Sequence, residues 1–238
     1  MSTVLSVFHP EGWPVNLILI SVGFNLLIVG FGIWVWWRGA GQLSLAKHIG
    51  LAHERCVTQF EKLPIKQGDI VFLGDSITEG GAWQEMFPNA SVRNRGIGGD
   101  TSDGVLARVH QISSGKPAQV FLMIGSNDLD VADRSESEIV ANIVEIVEKL
   151  KSASPKPMVY VQSVLPREKD FRVRVESLNI AIKTAIAGNA VWINLHQLFL
   201  DKSDGAILNE FSNDKLHLTG EGYMVWREAI MGSIAGHP

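Results

Sequence analysis

Ser76, Gly99, Asn127, Asp214 and His217 are the residues whose types and spacing could do chemistry in this chain. Acyl transfer needs a nucleophile, a base, a group that orients the base, and donors for the developing oxyanion. Ser76, at the end of the run Val71-Phe72-Leu73-Gly74-Asp75-Ser76, is the candidate nucleophile. His217 is the candidate base, because a neutral imidazole can take a hydroxyl proton. Asp214 stands three residues before it, a spacing at which one turn brings a carboxylate to the other ring nitrogen. Gly99 offers a backbone N–H with no side chain in the way. Asn127 offers a side-chain amide, and the N–H of Ser76 itself is a third donor.

Each of these residues also has a plainer role. Asp75 or Ser76 would cap a helix. Gly96, Gly98 and Gly99 would serve a tight turn or cradle a phosphate. Asn127 is a common turn former, His217 a packed or surface histidine, and Asp214 a loop carboxylate or cap. Only their arrival in one place decides for chemistry, and that depends on the elements that position them.

Strand candidates are residues 70–73, 91–95, 119–124, 158–164 and 191–195, three of them nearly pure apolar runs rich in Val and Ile. Helical patterns fall between them, over 102–113, 135–152 and 171–187. The stripe Ile139, Ile143, Ile146, Val147, Leu150 has the 3.6-residue period of a helix facing a core. Alternating strands and helices predict an α/β fold: a mostly parallel sheet of five strands with helices on both faces. The loops leaving the carboxyl ends of such strands border one crevice. Ser76, Gly99 and Asn127 follow the first, second and third strands, and Asp214 and His217 come after the fifth.

The 238 residues are 46% hydrophobic and 19% charged, enough apolar material for a packed core. The net charge of −4 gives no reason to expect a nucleic-acid partner. A single cysteine, Cys56, excludes a disulfide within the chain and a cysteine-based zinc site. Its place in an amphipathic pattern makes it a small apolar packing residue. The chain has no Gly-x-Ser-x-Gly, so the sharp nucleophile elbow is absent.

The N-terminal part reads differently. Residues 15–37 are almost continuously apolar and uncharged, with Trp13 before them and Trp34, Trp36 and Trp37 at their end. As a helix they would rise about 35 Å, enough to cross a bilayer core of roughly 30 Å. The expected organisation is a flank over 1–14, a transmembrane helix over 15–37, a linker and amphipathic helix over 38–65, and a catalytic domain over 66–238. Gly39-Ala40-Gly41 is expected to be a flexible joint. Asn25 could bond a partner helix in the membrane or its own backbone. Arg38 and Lys47 follow the apolar run while only Glu11 precedes it, which by the positive-inside rule puts the C-terminal domain on the cytoplasmic side.

The motifs as a set resemble the SGNH hydrolases, the GDSL-type esterase/lipase superfamily. The resemblance rests on Gly74-Asp75-Ser76, the turn Gly96-Ile97-Gly98-Gly99-Asp100, Gly125-Ser126-Asn127-Asp128 and Asp214-Lys215-Leu216-His217, in that order. It implies a flavodoxin-like three-layer α/β/α domain. By motif it also implies a catalytic set of Ser76, Asp214 and His217, and an oxyanion hole of Ser76, Gly99 and Asn127, with no metal or organic cofactor. The glycine-rich turn and Leu165-Pro166-Arg167 are most similar to the platelet-activating-factor acetylhydrolase-like branch, which removes short acyl groups. A small-molecule, lipid or glycan acyl ester is the expected substrate. A thioesterase or lysophospholipase, an O-acyltransferase using the same serine, and a non-catalytic membrane-complex subunit are the alternatives. Arg95, Arg167, Arg172 and Arg174 are read mainly as helix-surface charges, with a lining of the entrance as the other reading.

Overall fold

A computed structural model describes residues 15–153 and 155–234, without the side chains of residues 15–22 and 36–46. The chain divides into two compact units, Met1–His48 and Ile49–Pro238. The boundary falls inside one helix, α1 (Val15–Lys62). This helix continues through Gly39-Ala40-Gly41, where the sequence predicts a joint. Glycine costs a helix only about 1 kcal/mol against alanine and does not by itself end one. Among the described residues no helix is long and apolar enough to cross a membrane. The span expected over 15–37 is therefore not recovered there; it runs past the described side chains, at 15–22 and again at 36–37.

The second unit carries the sheet. In chain order its elements are β1 (Ile70–Gly74), α2 (Ser76–Glu79), α3 (Trp83–Met86), β2 (Val92–Gly96), α4 (Ser102–Arg108), α5 (His110–Ser113), β3 (Gln119–Met123) and α6 (Ser126–Asp130). There follow α7 (Glu136–Lys151), β4 (Met158–Gln162), α8 (Arg172–Ala185), β5 (Val191–Ile193), α9 (His196–Phe199) and α10 (Gly220–Met231). The strand order is β2-β1-β3-β4-β5 and every pairing is parallel. This is the flavodoxin-like doubly wound order. All five strands lie where the sequence predicts them, with ends shifted by a residue or two. The single helix expected over 102–113 is interrupted at Val109 and forms α4 and α5.

The alternation of side chains along the strands separates two cores. Val71, Leu73, Val120 and Leu122 face α4, α5, α7 and α8, packing against Val105, Ile112, Ile139, Ile143, Leu178 and Ile182. Ile70, Phe72, Phe121 and Met123 face the other way, against Trp83, Phe87, Phe199, Trp226 and Ile230. On this second face the register aligns Phe72 with Phe121 and Phe121 with Tyr160. Their rings stack across three strands at 5.1 and 4.5 Å, and Trp83 lies over Phe72 at 4.0 Å. Ser135 caps α7 in a reciprocal capping box with Glu138.

Candidate active site

The site is built at the carboxyl ends of β1, β2 and β3. β1 ends at Gly74, where a Cβ would stand 2.3 Å from the carbonyl oxygen of Met123 and 2.4 Å from Thr78 Oγ1. Only glycine fits, and the chain turns at once into α2. Asp75 caps that helix by accepting the Ile77 N–H at 3.0 Å, so the capping role considered for this stretch belongs to Asp75. Asn94 on β2 fastens the far end of α2, its amide donating to the carbonyls of Thr78, Glu79 and Gly81. Ser76 is thereby left at the first position of a short, clamped helix, partly exposed.

Across from it, Ser76 Oγ lies 3.0 Å from His217 Nε2. His217 Nδ1 lies 2.7 Å from Asp214 Oδ2. The three-residue spacing works because the other oxygen of Asp214 closes the turn. Asp214 Oδ1 accepts the backbone N–H groups of Leu216 at 2.9 Å and His217 at 2.7 Å. Lys215, between them, takes φ +67°, in the left-handed region, and its ammonium donates to the Ile207 carbonyl at 2.9 Å. Burial pushes the Asp214 carboxyl up, but the hydrogen bonds from the His217 ring, the His217 N–H and the Leu216 N–H outweigh it. They hold it well below the usual carboxylate range. The pair stays ionised on the carboxylate side, which fixes a proton on Nδ1 and leaves Nε2 free to accept.

Gly99 occupies the turn after β2 with φ +77°. Asn127, at the start of α6, is 9% exposed, and its side-chain N–H donates to the Asp100 carbonyl at 2.9 Å. The structure therefore brings Ser76, Asp214 and His217 into one hydrogen-bonded chain and links the Asn127 amide to the turn that carries Gly99.

Several residues at this site are given no role by the sequence motifs. Asp100, next to Gly99, accepts Arg108 Nε at 2.8 Å in a fully buried ion pair. Arg108 also donates to the carbonyls of Gly74 and Arg95, tying the ends of β1 and β2 together. Asp128, next to Asn127, accepts the Ser102 hydroxyl at 2.6 Å and the Ser102 N–H at 2.9 Å. Burial raises its carboxyl above the usual range. Asp75, Asp100 and Asp128 are all 2% exposed or less. Burial, with the charges of Asp100 and Asp128 adding and the Ile77 N–H and His217 opposing, pushes the Asp75 carboxyl up to about 7. Asp100 and Asp128 were within reach of sequence reasoning, since each sits inside a motif already singled out; Arg108 was not.

The surface-charge reading of the arginines holds for two of the four. Arg172 pairs with Glu176, and Arg174 with Asp133. Arg95 and Arg167 are buried instead. Arg95 bonds the Leu63 carbonyl over the Phe60 ring. Arg167 bonds the Ser126 carbonyl and Asp130, over the Phe171 ring. Both are structural ties.

Known proteins resemble this chain in family and in fold. Residues 72–225 match the model of the GDSL-like Lipase/Acylhydrolase family. The human platelet-activating factor acetylhydrolase IB subunit alpha2 is 32% identical over 171 residues, covering 66% of this chain and 72% of that protein. The rat subunit alpha1 is 28% identical over 169 residues, covering 66% and 71%. The crystal structure of a GDSL-like lipase from Bacteroides thetaiotaomicron VPI-5482 superposes with a TM-score of 0.67 at 28% identity, covering 76% of this chain and 96% of that one.

Proposed function

Because the chain belongs to the GDSL-like lipase/acylhydrolase family, whose members hydrolyse esters, we propose that it is a serine esterase for short, acetyl-like acyl esters, working through Ser76, His217 and Asp214. The observation that carries this reading is the 3.0 Å contact of Ser76 Oγ with His217 Nε2, backed by the 2.7 Å contact of His217 Nδ1 with Asp214. The short acyl group is supported by the names of the curated relatives, which are acetylhydrolases.

In the proposed reaction Ser76 Oγ attacks the acyl carbon as its proton passes to His217 Nε2. The carbonyl π pair moves onto oxygen, where the N–H groups of Ser76 and Gly99 and the Asn127 amide receive it. Removing one such donor costs roughly 3 kcal/mol of barrier. The imidazolium, held by Asp214, returns its proton to the departing alcohol. Water then attacks the acyl-serine with His217 again as base, releasing the acid and restoring Ser76. Every step uses groups of this chain and water alone.

Hydrolysis of p-nitrophenyl esters from acetyl to dodecanoyl tests both parts. Ser76→Ala is expected to remove turnover, and the wild-type rate is expected to fall as the acyl chain lengthens. Turnover surviving in Ser76→Ala would end the nucleophile assignment; a rate rising with chain length would replace the short-chain esterase by a lysophospholipase or thioesterase.

The proposal extends to a membrane tether through residues 15–37, with the catalytic unit on the cytoplasmic side. Support comes from the uncharged run itself and from the described side chains within it. Phe24, Leu26, Leu27 and Phe31 are all more than half exposed on α1, where they form an apolar helix surface. The full chain is expected to stay with the membrane pellet through an alkaline carbonate wash; release into the supernatant would rule the tether out.

A further inference from the structure

The C-terminal part of α1 reaches the proposed oxyanion hole. His53 Nε2 lies 3.2 Å from Asp100 Oδ1, across 47 positions of sequence. One turn earlier on the same face, Ile49 stands over Gly99: its Cγ2 is 2.9 Å from where a Cβ on that glycine would be. Both residues belong to the same compact unit as the sheet. Asp100 is the hub that His53 touches. Its N–H donates to the Ile97 carbonyl at 3.1 Å, closing the turn that contains Gly99. Its carbonyl accepts the Asn127 amide at 2.9 Å. Its carboxylate accepts the Thr101 N–H at 3.0 Å and Arg108 Nε at 2.8 Å. His53 supplies one more donor, to the oxygen that Arg108 does not take.

We propose that His53 is a positioning residue for ester hydrolysis. Through Asp100 it fixes both the Gly99 N–H and the Asn127 amide at the distance the oxyanion needs. The inference rests on the esterase reading above. The physical reason is the narrow tolerance of the oxyanion hole. Its donors act at about 2.7–3.1 Å from the developing charge, and a displacement near 1 Å costs up to a hundredfold in rate. Asp100 accepts the Asn127 amide with its carbonyl and closes the Gly99 turn with its N–H to Ile97, so a displacement of Asp100 shifts both donors. Arg108 holds one carboxylate oxygen; His53 and Thr101 hold the other against that displacement. Ile49 packs over Gly99 from the same face of α1.

A residue that only fastened α1 to the sheet would change stability and leave the chemistry alone, which makes the two roles separable. In the full-length chain, His53→Leu keeps much of the packing volume and removes the donor, whereas His53→Gln places an amide N–H near the same point. With p-nitrophenyl acetate, well below the melting temperature of each variant, His53→Leu is expected to lower kcat about tenfold with KM within twofold. Inhibition by methylboronic acid, whose tetrahedral adduct needs the oxyanion hole, is expected to weaken by a similar factor. His53→Gln is expected to recover kcat to within threefold of wild type. The proposal is overturned if His53→Leu leaves kcat and boronate inhibition within twofold, if KM carries the loss, or if His53→Gln is no better than His53→Leu. Ser76→Ala, assayed alongside, separates the two ideas. Turnover independent of Ser76 discards the esterase reading, whereas Ser76-dependent turnover indifferent to His53 discards only this one.

Discussion

Asn127 and Asp100 are 9% and 2% exposed, whereas the side chains of His217 and Asp214 keep 47% and 48% of their surface open. One half of the site is thus sunk into the carboxyl ends of the strands, and the other half is carried on a surface loop. They are held in different ways. The buried half is cross-linked by partners distant in sequence: Arg108 to Gly74 and Arg95, Asn127 to Asp100, Asp128 to Ser102. The exposed half is held mainly by its neighbours, through the turn that Asp214 closes on Leu216 and His217. A buried polar group left unsatisfied costs about 1–3 kcal/mol, and more if it is charged. An exposed pair has water as a fallback and adds little to stability. The contrast teaches that the two halves should fail differently when damaged: the loop through chemistry, the floor through folding.

His217→Ala gives the largest effect and the sharpest trial of that contrast. In the proposed mechanism it removes the base, and kcat for p-nitrophenyl acetate should fall by up to about a millionfold. The melting temperature, followed by circular dichroism, should barely move, since both members of the His217–Asp214 pair are half exposed. A melting temperature lowered by many degrees would show that the loop is structural after all, and the comparison would break.

Arg108→Met should reverse the pattern. It leaves the Asp100 carboxylate buried with only its Thr101 and His53 contacts, and strips a donor from two strand-end carbonyls. Breaking a buried pair by removing one partner typically costs about 3–5 kcal/mol. Urea denaturation should show a loss of that order; a loss below about 1 kcal/mol would mean that the floor tolerates an unpaired charge.

The same division explains what the sequence made legible. Val- and Ile-rich runs marked the inner strands because strands covered on both faces must be apolar throughout, whereas β2 carries a single apolar side chain, Val92. The serine, the glycine-rich turn, the asparagine and the Asp-x-x-His pair stood out because their types and order are unusual together. The exposed half was readable even in its geometry: Asp214 and His217 interact across three residues, and local spacing carries that information. The floor was not readable. Arg108 sits in a helical pattern like any surface arginine, and nothing near it in sequence says that it spans to Gly74, 34 positions away. Arg95 and Arg167 were misread for the same reason, since burial of a charge is decided by distant partners. His53 lies on an amphipathic helix, and nothing near it in sequence points to Asp100, 47 positions away. The joint expected at Gly39-Ala40-Gly41 failed on another ground: composition gives a propensity, and a propensity of about 1 kcal/mol is easily overridden.

The smallest expected effect concerns the cost of the floor's own charge. Asp75 is buried among Asp100 and Asp128, with its carboxyl pushed up to about 7, against about 3.9 in an unfolded chain. Between those values the folded protein holds a proton that the unfolded chain has lost. By linkage, the contribution of this group to stability is fully present below about pH 4 and is lost as the pH rises through 7. Asp75→Asn keeps an oxygen to accept the Ile77 N–H and removes the charge. The variant should therefore gain stability over wild type as the pH rises, with the difference growing by roughly 2 kcal/mol from pH 5 to pH 8. Urea denaturation at the two pH values reads this directly. A difference that stays constant would mean that Asp75 is ionised in the fold at both. The three neighbouring carboxylates would then be balanced by Arg108 and His217 more completely than their burial suggests, and the floor would be as forgiving of charge as the loop above it.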